Sequence, residues 1–151
     1  MTTPPEAWPD IAGRIVKGTH VLPVRVYYED TDFSGAVYHA NYLKFCERGR
    51  SDALRLLGIH HRELQGQLGF VVRHMTCDFL KPARIDDLLL IETRFIDIGG
   101  ARLDIDQRIG RDGETIFKAK VTVALVDAQG RPKRITEDMR RALIVLQGPQ
   151  T

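Results

Sequence analysis

The sequence has few of the features that staple a small protein, anchor it in a membrane or charge it strongly. It contains two cysteines in 151 residues, and a chain of this length can bury a core without disulfides, so the pair fits a reducing compartment. No run approaches the roughly 18 apolar residues that span a membrane, and the first ten residues hold three prolines but no apolar signal core. The formal net charge of +2 is too small to indicate a nucleic-acid partner. These absences predict a single-domain cytoplasmic protein without an integral membrane segment.

Hydrophobic periodicity predicts an α+β protein. Apolar residues recur at helical spacing over residues 39–57, and Gly58 supplies a stop for this long helix. A second helix is expected over 136–147, with Thr136 as its N-cap. Alternation of apolar and polar residues predicts strands at residues 21–28, 70–80, 88–98, 102–109 and 115–126.

The order of these elements predicts how they pack. The last four strands follow one another, joined largely by hairpins such as the one that Asp112-Gly113 signals. Gly49 lies on the buried face of the long helix, so this helix is expected to approach a sheet closely. We therefore expect a curved antiparallel sheet of about five strands wrapped around one central helix. The predicted parts are a poorly structured leader at 1–19, a single domain at 20–147 and a tail at 148–151.

The junction between the first strand and the long helix carries the residues best suited to chemistry. Asp30 and Asp32 stand just before the helix and His39 at its start, so a carboxylate lies beside the unpaired backbone N–H groups of a helix N-terminus. A base next to backbone donors is what attack on a carbonyl group requires. The residues alone leave open which carboxylate is the base, although Asp30, at the strand end, is better suited to hold the turn through backbone N–H groups.

A calcium loop is the main alternative for this junction. The first half of an EF-hand loop is matched by Asp30-x-Asp32-x-Ser34-Gly35. The twelfth place, however, is Asn41, where a bidentate Glu belongs, and a predicted strand rather than a helix precedes the loop. Calcium is therefore not expected.

Other reactive side chains favour structural roles. His60 and His61 are adjacent, so their side chains point apart, and no third ligand stands near them; we expect no metal and no other cofactor. Cys46 follows His39 by seven residues on one helix face and could pair with it as a nucleophile, but a small buried residue is the favoured interpretation. The basic cluster at 131–134 lacks interleaved aromatic residues, so nucleic-acid binding is not expected.

A specific resemblance is carried by the run YYEDTDFSGAVYHANYLKFCERGR at residues 27–50. It is similar to the signature of the hotdog-fold acyl-CoA thioesterases, and most similar to the Tol–Pal-associated branch of the 4-hydroxybenzoyl-CoA thioesterase family. The resemblance continues through FVVRHMTCDFLKPARIDDLLLIET at 70–93 and covers about 24–132. It implies a hotdog fold and hydrolysis of acyl-CoA to a free acid and CoA. It also implies a homodimer or homotetramer that binds acyl-CoA between two subunits, with acyl carrier protein as a further partner.

The resemblance also assigns site residues. Asp32 matches the catalytic carboxylate, and His39 matches the position whose backbone N–H polarises the thioester carbonyl. Asp32 could act as a general base or as a nucleophile, and the His39 imidazole could orient water or merely pack. The alternative is a non-catalytic scaffold of the same fold that binds acyl carrier protein. Further candidates are Tyr38, Asn41 and Glu47 for the acyl group, and Arg73, Lys81 and Arg84 for the CoA phosphates.

Each of these further candidates has a structural alternative. Tyr38 and Asn41 could cap the helix, which is the default interpretation for Asn41, and Glu47 could lie on a solvated helix face. Each basic residue could be a solvated surface charge, and the cluster at 131–134 is a second candidate for the phosphates.

Overall fold

The structure is a computed structural model that describes residues 11–60 and 67–148. The first ten residues of the predicted leader, residues 61–66 and the last three residues lie outside these ranges. Its elements follow the order β1 (Arg14–Val16), β2 (Thr19–Arg25), α1 (His39–Leu56), β3 (Leu68–Phe79), β4 (Leu88–Ile98), β5 (Arg102–Arg111), β6 (Glu114–Asp127) and α2 (Glu137–Leu143). The predicted α+β order is confirmed.

Two elements are shorter than predicted. β2 ends at Arg25 rather than at residue 28, because Tyr28–Asp30 form a single 3₁₀ turn. α2 ends at Leu143, and a 3₁₀ turn over Ile144–Leu146 follows in place of the last predicted helical turn.

The short strand β1 lies inside the predicted leader. It pairs antiparallel with β2, so the expectation of little structure up to residue 19 is wrong for residues 14–16. Lys17 and Gly18 form the connecting turn with positive φ angles of 51° and 78°. Two such residues in succession give the turn that matches strand twist in a hairpin. Lys-Gly is a weak sequence signal for it, which is why the pattern did not reveal this strand.

The six strands form one antiparallel sheet in the order β1-β2-β4-β5-β6-β3. Hairpins join β4 to β5 and β5 to β6, as predicted. β3 is not joined to β4 by a hairpin, since it pairs with β6. β2 occupies the other edge of β4, so β3 crosses to the opposite edge of the sheet. The chain between β3 and β4 therefore spans the sheet at one end.

Helix α1 packs against the inner face of the curved sheet, in the predicted arrangement. A Cβ atom at Gly49 would lie 2.9 Å from Cγ2 of Ile91 and 3.0 Å from Oγ1 of Thr93, so only glycine permits this approach. Gln107 satisfies the polar groups at the contact: its Nε2 donates to the Cys46 carbonyl and to Thr93 Oγ1, each at 2.9 Å. Burial of each large apolar side chain around the contact contributes roughly 1.5–3 kcal/mol relative to exposure. The helix is thus held in place by packing.

The outer face of the sheet is polar and carries charges of both signs. It forms a groove of about 430 Å³ whose charged lining residues are Asp78, Glu92, Arg94, Asp106, Arg108, Lys118 and Lys120. These residues alternate along the strands with the buried residues of the inner face. None of the described helices is both long and apolar enough to cross a membrane.

Candidate active site

Asp30 organises the turn that leads from β2 to α1. Its Oδ2 accepts the backbone N–H of Tyr27 at 2.8 Å. Its main-chain carbonyl accepts the N–H of Tyr38 at 2.9 Å and the side-chain amide of Asn41 at 2.8 Å. The sequence-based preference for Asp30 as a turn-holding residue is confirmed by the first of these contacts.

Asp32 lies two residues further on, in an exposed loop that an isolated β-bridge between Thr31 and Val37 closes. Its Oδ1 accepts the backbone N–H of Ser34 at 2.8 Å and the Ser34 hydroxyl at 2.5 Å. These two hydrogen bonds, the hydroxyl first, hold the pKa of Asp32 below its ordinary value, and the nearby His39 lowers it further. Asp32 is therefore an ionised, solvent-facing carboxylate at neutral pH.

The first turn of α1 supplies backbone donors. Tyr38 is the N-cap in an extended conformation, and no side chain caps the helix. Within residues 11–60 and 67–148, no acceptor pairs with the N–H of His39, the first helical residue. Such orphan N–H groups carry the positive end of the helix dipole and attract negative charge. An ionised carboxylate and an unpaired N–H donor therefore stand at the same end of α1.

The His39 imidazole lies on apolar surface. Its ring centroid is 4.4 Å from that of Tyr38 and 6.4 Å from that of Phe79, which meets it edge-on. Both aromatic rings are about half exposed, at 45% and 52%. The His39 side chain thus packs beside two partly exposed aromatic rings at the start of α1.

A model of the Thioesterase superfamily matches residues 34–118. The chain belongs to this superfamily. The acyl-CoA thioesterase YbgC of Haemophilus influenzae is 47% identical over 108 residues, which are 70% of this chain and 79% of that relative. The acyl-CoA thioester hydrolase YbgC of Escherichia coli O6:H1 is 42% identical over 130 residues, 79% of this chain and 94% of that relative.

A solved structure agrees with the superfamily assignment. The crystal structure of a probable thioesterase from Bartonella henselae is 46% identical and superposes with a TM-score of 0.76, covering 78% of this chain and 99% of that one. The hotdog fold that the resemblance implied, with its sheet curved around one long helix, is confirmed.

The structure separates the acyl-site candidates of this superfamily member. Asn41 does not cap α1; its side chain donates to the Asp30 carbonyl and ties the turn to the helix. Tyr38 stands beside the free donors. Glu47 lies eight residues beyond His39, about 12 Å along the helix axis, and its Oε1 accepts the Ser51 hydroxyl at 2.9 Å. Within one chain, Glu47 is not brought to the Asp32 end of α1.

Glu47 instead borders a second groove, of about 600 Å³, beside the C-terminal half of α1. The apolar part of its lining consists of Leu54, Phe70, Val72 and Val123, and the polar part of Glu47, Arg48, Arg50, Ser51, Asp52 and Arg55. A lining that combines apolar and polar side chains suits an amphipathic ligand.

Of the basic candidates, only Arg84 lies next to the Asp32 loop. It pairs with Ala36 in an isolated bridge, and its guanidinium is exposed. Lys81 forms an ion pair with Glu114 at 2.7 Å. Arg73 lies on the edge strand β3, at an irregularity in its pairing with β6. Arg131, in the alternative cluster, pairs with Asp127 at 3.0 Å.

The alternative chemistries find little support in the described residues. Burial raises the pKa of the Cys46 thiol to about 12, so no thiolate is available for a Cys–His nucleophile. In the described part of the chain, no group of three or more His, Cys, Asp and Glu side chains could hold a metal ion. His61, one of the adjacent histidines, lies outside the described residues.

Sequence reasoning missed two residues that shape the site. Ser34 fixes Oδ1 of Asp32, and an Asp followed two residues later by Ser is a recognisable turn pattern that could have indicated it. Tyr42 accepts a hydrogen bond from Ala83, 41 residues away, at 2.9 Å. No local pattern signals a contact of that sequence separation.

Proposed function

We propose that this superfamily member hydrolyses acyl-CoA thioesters, with Asp32 as the catalytic carboxylate and the His39 N–H as oxyanion donor. The observation that carries the proposal is the junction itself: an ionised, exposed carboxylate on the loop and an unpaired N–H at the start of the helix that follows it. The printed names of the Haemophilus and Escherichia relatives support the substrate class. Hydrolysis yields a free acid and CoA.

Two routes are compatible with this arrangement. In the first, Asp32 takes a proton from water as the water oxygen attacks the thioester carbon, worth typically about 10²–10⁴-fold in rate. In the second, Asp32 attacks the carbon and expels CoA thiolate, and water then hydrolyses the acyl anhydride. In both, negative charge develops on the carbonyl oxygen, where a donor such as the His39 N–H contributes roughly 10²–10³-fold. Thiolate is a good leaving group, so neither route needs a strong general acid.

The proposal includes a homodimer formed through β3. This strand is twelve residues long and lies at a sheet edge with Val71 and Val72 exposed. Long apolar edges of this kind are templates for pairing with another strand. Family dimers with acyl-CoA between subunits are what the resemblance implies, and a tetramer would add a second interface.

A β3–β3 pair would also explain the position of Glu47. Phe79, at the C-terminal end of β3, lies beside His39, whereas Phe70, near its N-terminal end, lines the groove that Glu47 borders. Antiparallel pairing of two copies places these opposite ends side by side. The groove of one subunit would then adjoin Asp32 of the other and receive the acyl chain.

A thiol-release assay over short, long and aromatic acyl-CoA substrates tests the proposal. We expect CoA release with at least one class, and its loss in the Asp32→Asn variant. The same acyl groups on acyl carrier protein test whether the carrier-bound thioester is also a substrate. Binding of acyl carrier protein without release from any thioester would instead support the scaffold alternative. Cytoplasmic location and association with the Tol–Pal system stay predictions.

Single-turnover hydrolysis in ¹⁸O-labelled water tests for the nucleophilic route. Attack by Asp32, followed by attack of water at the Asp32 carbon of the anhydride, places solvent oxygen in the Asp32 carboxylate, so label there identifies that route. An unlabelled Asp32 is the result expected of general-base catalysis and of anhydride hydrolysis at the acyl carbon. Peptide mass spectrometry of the loop reads the label directly.

A further inference from the structure

Tyr42 lies in the first two turns of α1 with its ring locked in the core. It is 4% exposed. Its ring stacks on that of Phe117, with centroids 5.3 Å apart and planes inclined by 7°, and Phe79 meets it edge-on at 5.7 Å. Three packed rings leave the Tyr42 side chain one orientation, so its hydroxyl is held at a fixed point relative to the helix.

That hydroxyl is the start of a series of hydrogen bonds that ends at Asp32. It accepts the N–H of the fully buried Ala83, at 2.9 Å. The Ala83 carbonyl accepts the N–H of Val37 at 2.8 Å, and the carbonyl of the adjacent Ala36 accepts the N–H of Asp32 at 3.0 Å. The middle of the series is the segment between β3 and β4, residues 80–87, which we call the β3–β4 loop.

The ends of the β3–β4 loop have other attachments. The N–H groups of Leu80 and Lys81 donate to the Ile116 carbonyl at 2.9 and 3.1 Å, and the Asp86 N–H donates to the Val26 carbonyl at 2.9 Å. Arg111 donates to the Pro82 carbonyl at 2.8 Å. These bonds keep the loop in the fold when the Tyr42 hydroxyl is removed. The change is then confined to Ala83 and the residues that it contacts.

We propose that Tyr42 is a positioning residue that sets the place of the Asp32 loop relative to the start of α1. The His39 N–H and the Tyr42 hydroxyl belong to the same helix, whereas Asp32 belongs to the loop that the hydroxyl holds through Ala83. The Asn41 amide ties Asp30, at the near end of this turn, to the same helix, and the Tyr42 hydroxyl adds the tie that acts on the far side of the Asp32 loop, through Ala83 and Val37. The inference rests on the proposed function, because it matters for the rate only if Asp32 is the reacting carboxylate.

The Tyr42→Phe variant tests this, because it keeps the stacked ring and removes only the hydroxyl. A displacement of about 1 Å in a catalytic group can cost roughly 10²-fold. We expect kcat to fall by about 10- to 100-fold, with a smaller change in KM, and we expect faster amide hydrogen exchange at Val37 and Asp32. Unchanged kcat, or a loss confined to KM, would overturn the inference.

Thr136→Ala is the matched control. Thr136 Oγ1 also accepts one backbone N–H, that of Met139 at 3.1 Å, but in α2. Both variants are assayed at the same interval below their own Tm. We expect kcat to fall only in Tyr42→Phe; an equal fall in both would mean that lost stability, and not position, lowers the rate.

A double variant shows whether Tyr42 acts through Asp32. In the Asp32→Asn background, Tyr42→Phe should cause no further fall in the residual kcat. The same fold loss in both backgrounds would overturn the inference while leaving Asp32 as the carboxylate. Full activity of Asp32→Asn alone would overturn the assignment of Asp32, and this inference with it.

Discussion

The two α-helices begin in opposite ways. α2 starts after Thr136, whose hydroxyl accepts the Met139 N–H, and its first turn contains the acidic residues Glu137 and Asp138. α1 starts after Tyr38 with no side-chain cap and no acidic residue in its first turn. The nearest carboxylate ahead of α1, that of Asp32, is held in a separate loop by Ser34. The cap of α2 satisfies the Met139 N–H with a side chain, whereas the His39 N–H at the start of α1 is left open to a ligand.

The difference follows from how each helix is held. α2 has seven residues, a length at which a helix is marginal without help, and a cap contributes about 1 kcal/mol. α1 has eighteen residues, seven of them buried, and packs against the sheet. Packing therefore stabilises α1 without a cap. Because tertiary contacts hold α1 in place, the His39 N–H at its start can stay unpaired without loss of the helix.

Loss of the carboxylate ahead of α1 should have the largest effect. We expect Asp32→Asn to lower kcat by roughly 10²–10⁴-fold, because an amide can neither take a proton from water nor attack as an anion. Asp138→Asn removes a carboxylate from the first turn of α2 and should leave kcat unchanged. The measurement is CoA release at saturating acyl-CoA. Equal activity of the two variants would mean that the α1 junction is not the site.

Making α1 begin like α2 should have the next largest effect. In Tyr38→Asp, a capping carboxylate at the helix start opposes the developing oxyanion, so we expect a fall in kcat of about tenfold. The same cap should raise the free energy of unfolding by about 0.5–2 kcal/mol. Tyr38→Asn caps without a charge and lacks the ring equally, so it is the matched control. A similar kcat in both variants would show that charge at this end does not affect the reaction.

Weakening the Ser34 contact should shift the pH dependence without abolishing activity. The pKa of Asp32 is lowered chiefly by the Ser34 hydroxyl, so the ionised form persists until the pH falls through that lowered value. In Ser34→Ala the pKa rises toward its ordinary value, and the acid limb of kcat/KM should move to higher pH. Thr122→Ala, which breaks a similar hydroxyl–carboxylate bond to Asp104 on the outer face, should leave the profile in place. If Ser34→Ala leaves the acid limb of kcat/KM in place, the Ser34 hydroxyl is not what lowers the pKa of the reacting carboxylate.

Removing the cap of α2 should have the smallest effect on catalysis. We expect Thr136→Ala to lower the free energy of unfolding by about 1 kcal/mol, since one N–H loses its acceptor, with kcat unchanged. Urea denaturation with parallel activity assays makes the comparison. A fall in kcat at urea concentrations below the unfolding transition would show that the two helix starts are coupled.

Most of the local structure, but only part of the candidate site, could be predicted from the sequence. Period and turn chemistry revealed α1, β4 and the hairpins of β4 to β6, because these depend on neighbouring residues. They did not reveal that β3 pairs with β6, since the same alternation suits either edge of the sheet. The turn that carries Asp30 and Asp32 could be recognised as a candidate site because a strand, two carboxylates and a helix start lie within a few residues of one another. The roles of Asn41, Tyr42 and Ala83 in holding that turn depend on contacts between distant segments, which no spacing encodes.

The close approach at Gly49 has a consequence for engineering. A glycine inside a helix normally invites replacement by alanine, which gains about 1 kcal/mol from helix propensity. Here the added methyl group would meet Ile91 and Thr93 within 3.0 Å and push α1 away from the sheet. A consensus or propensity-guided thermostabilisation of this enzyme should therefore exclude position 49, where Gly→Ala is expected to destabilise the protein.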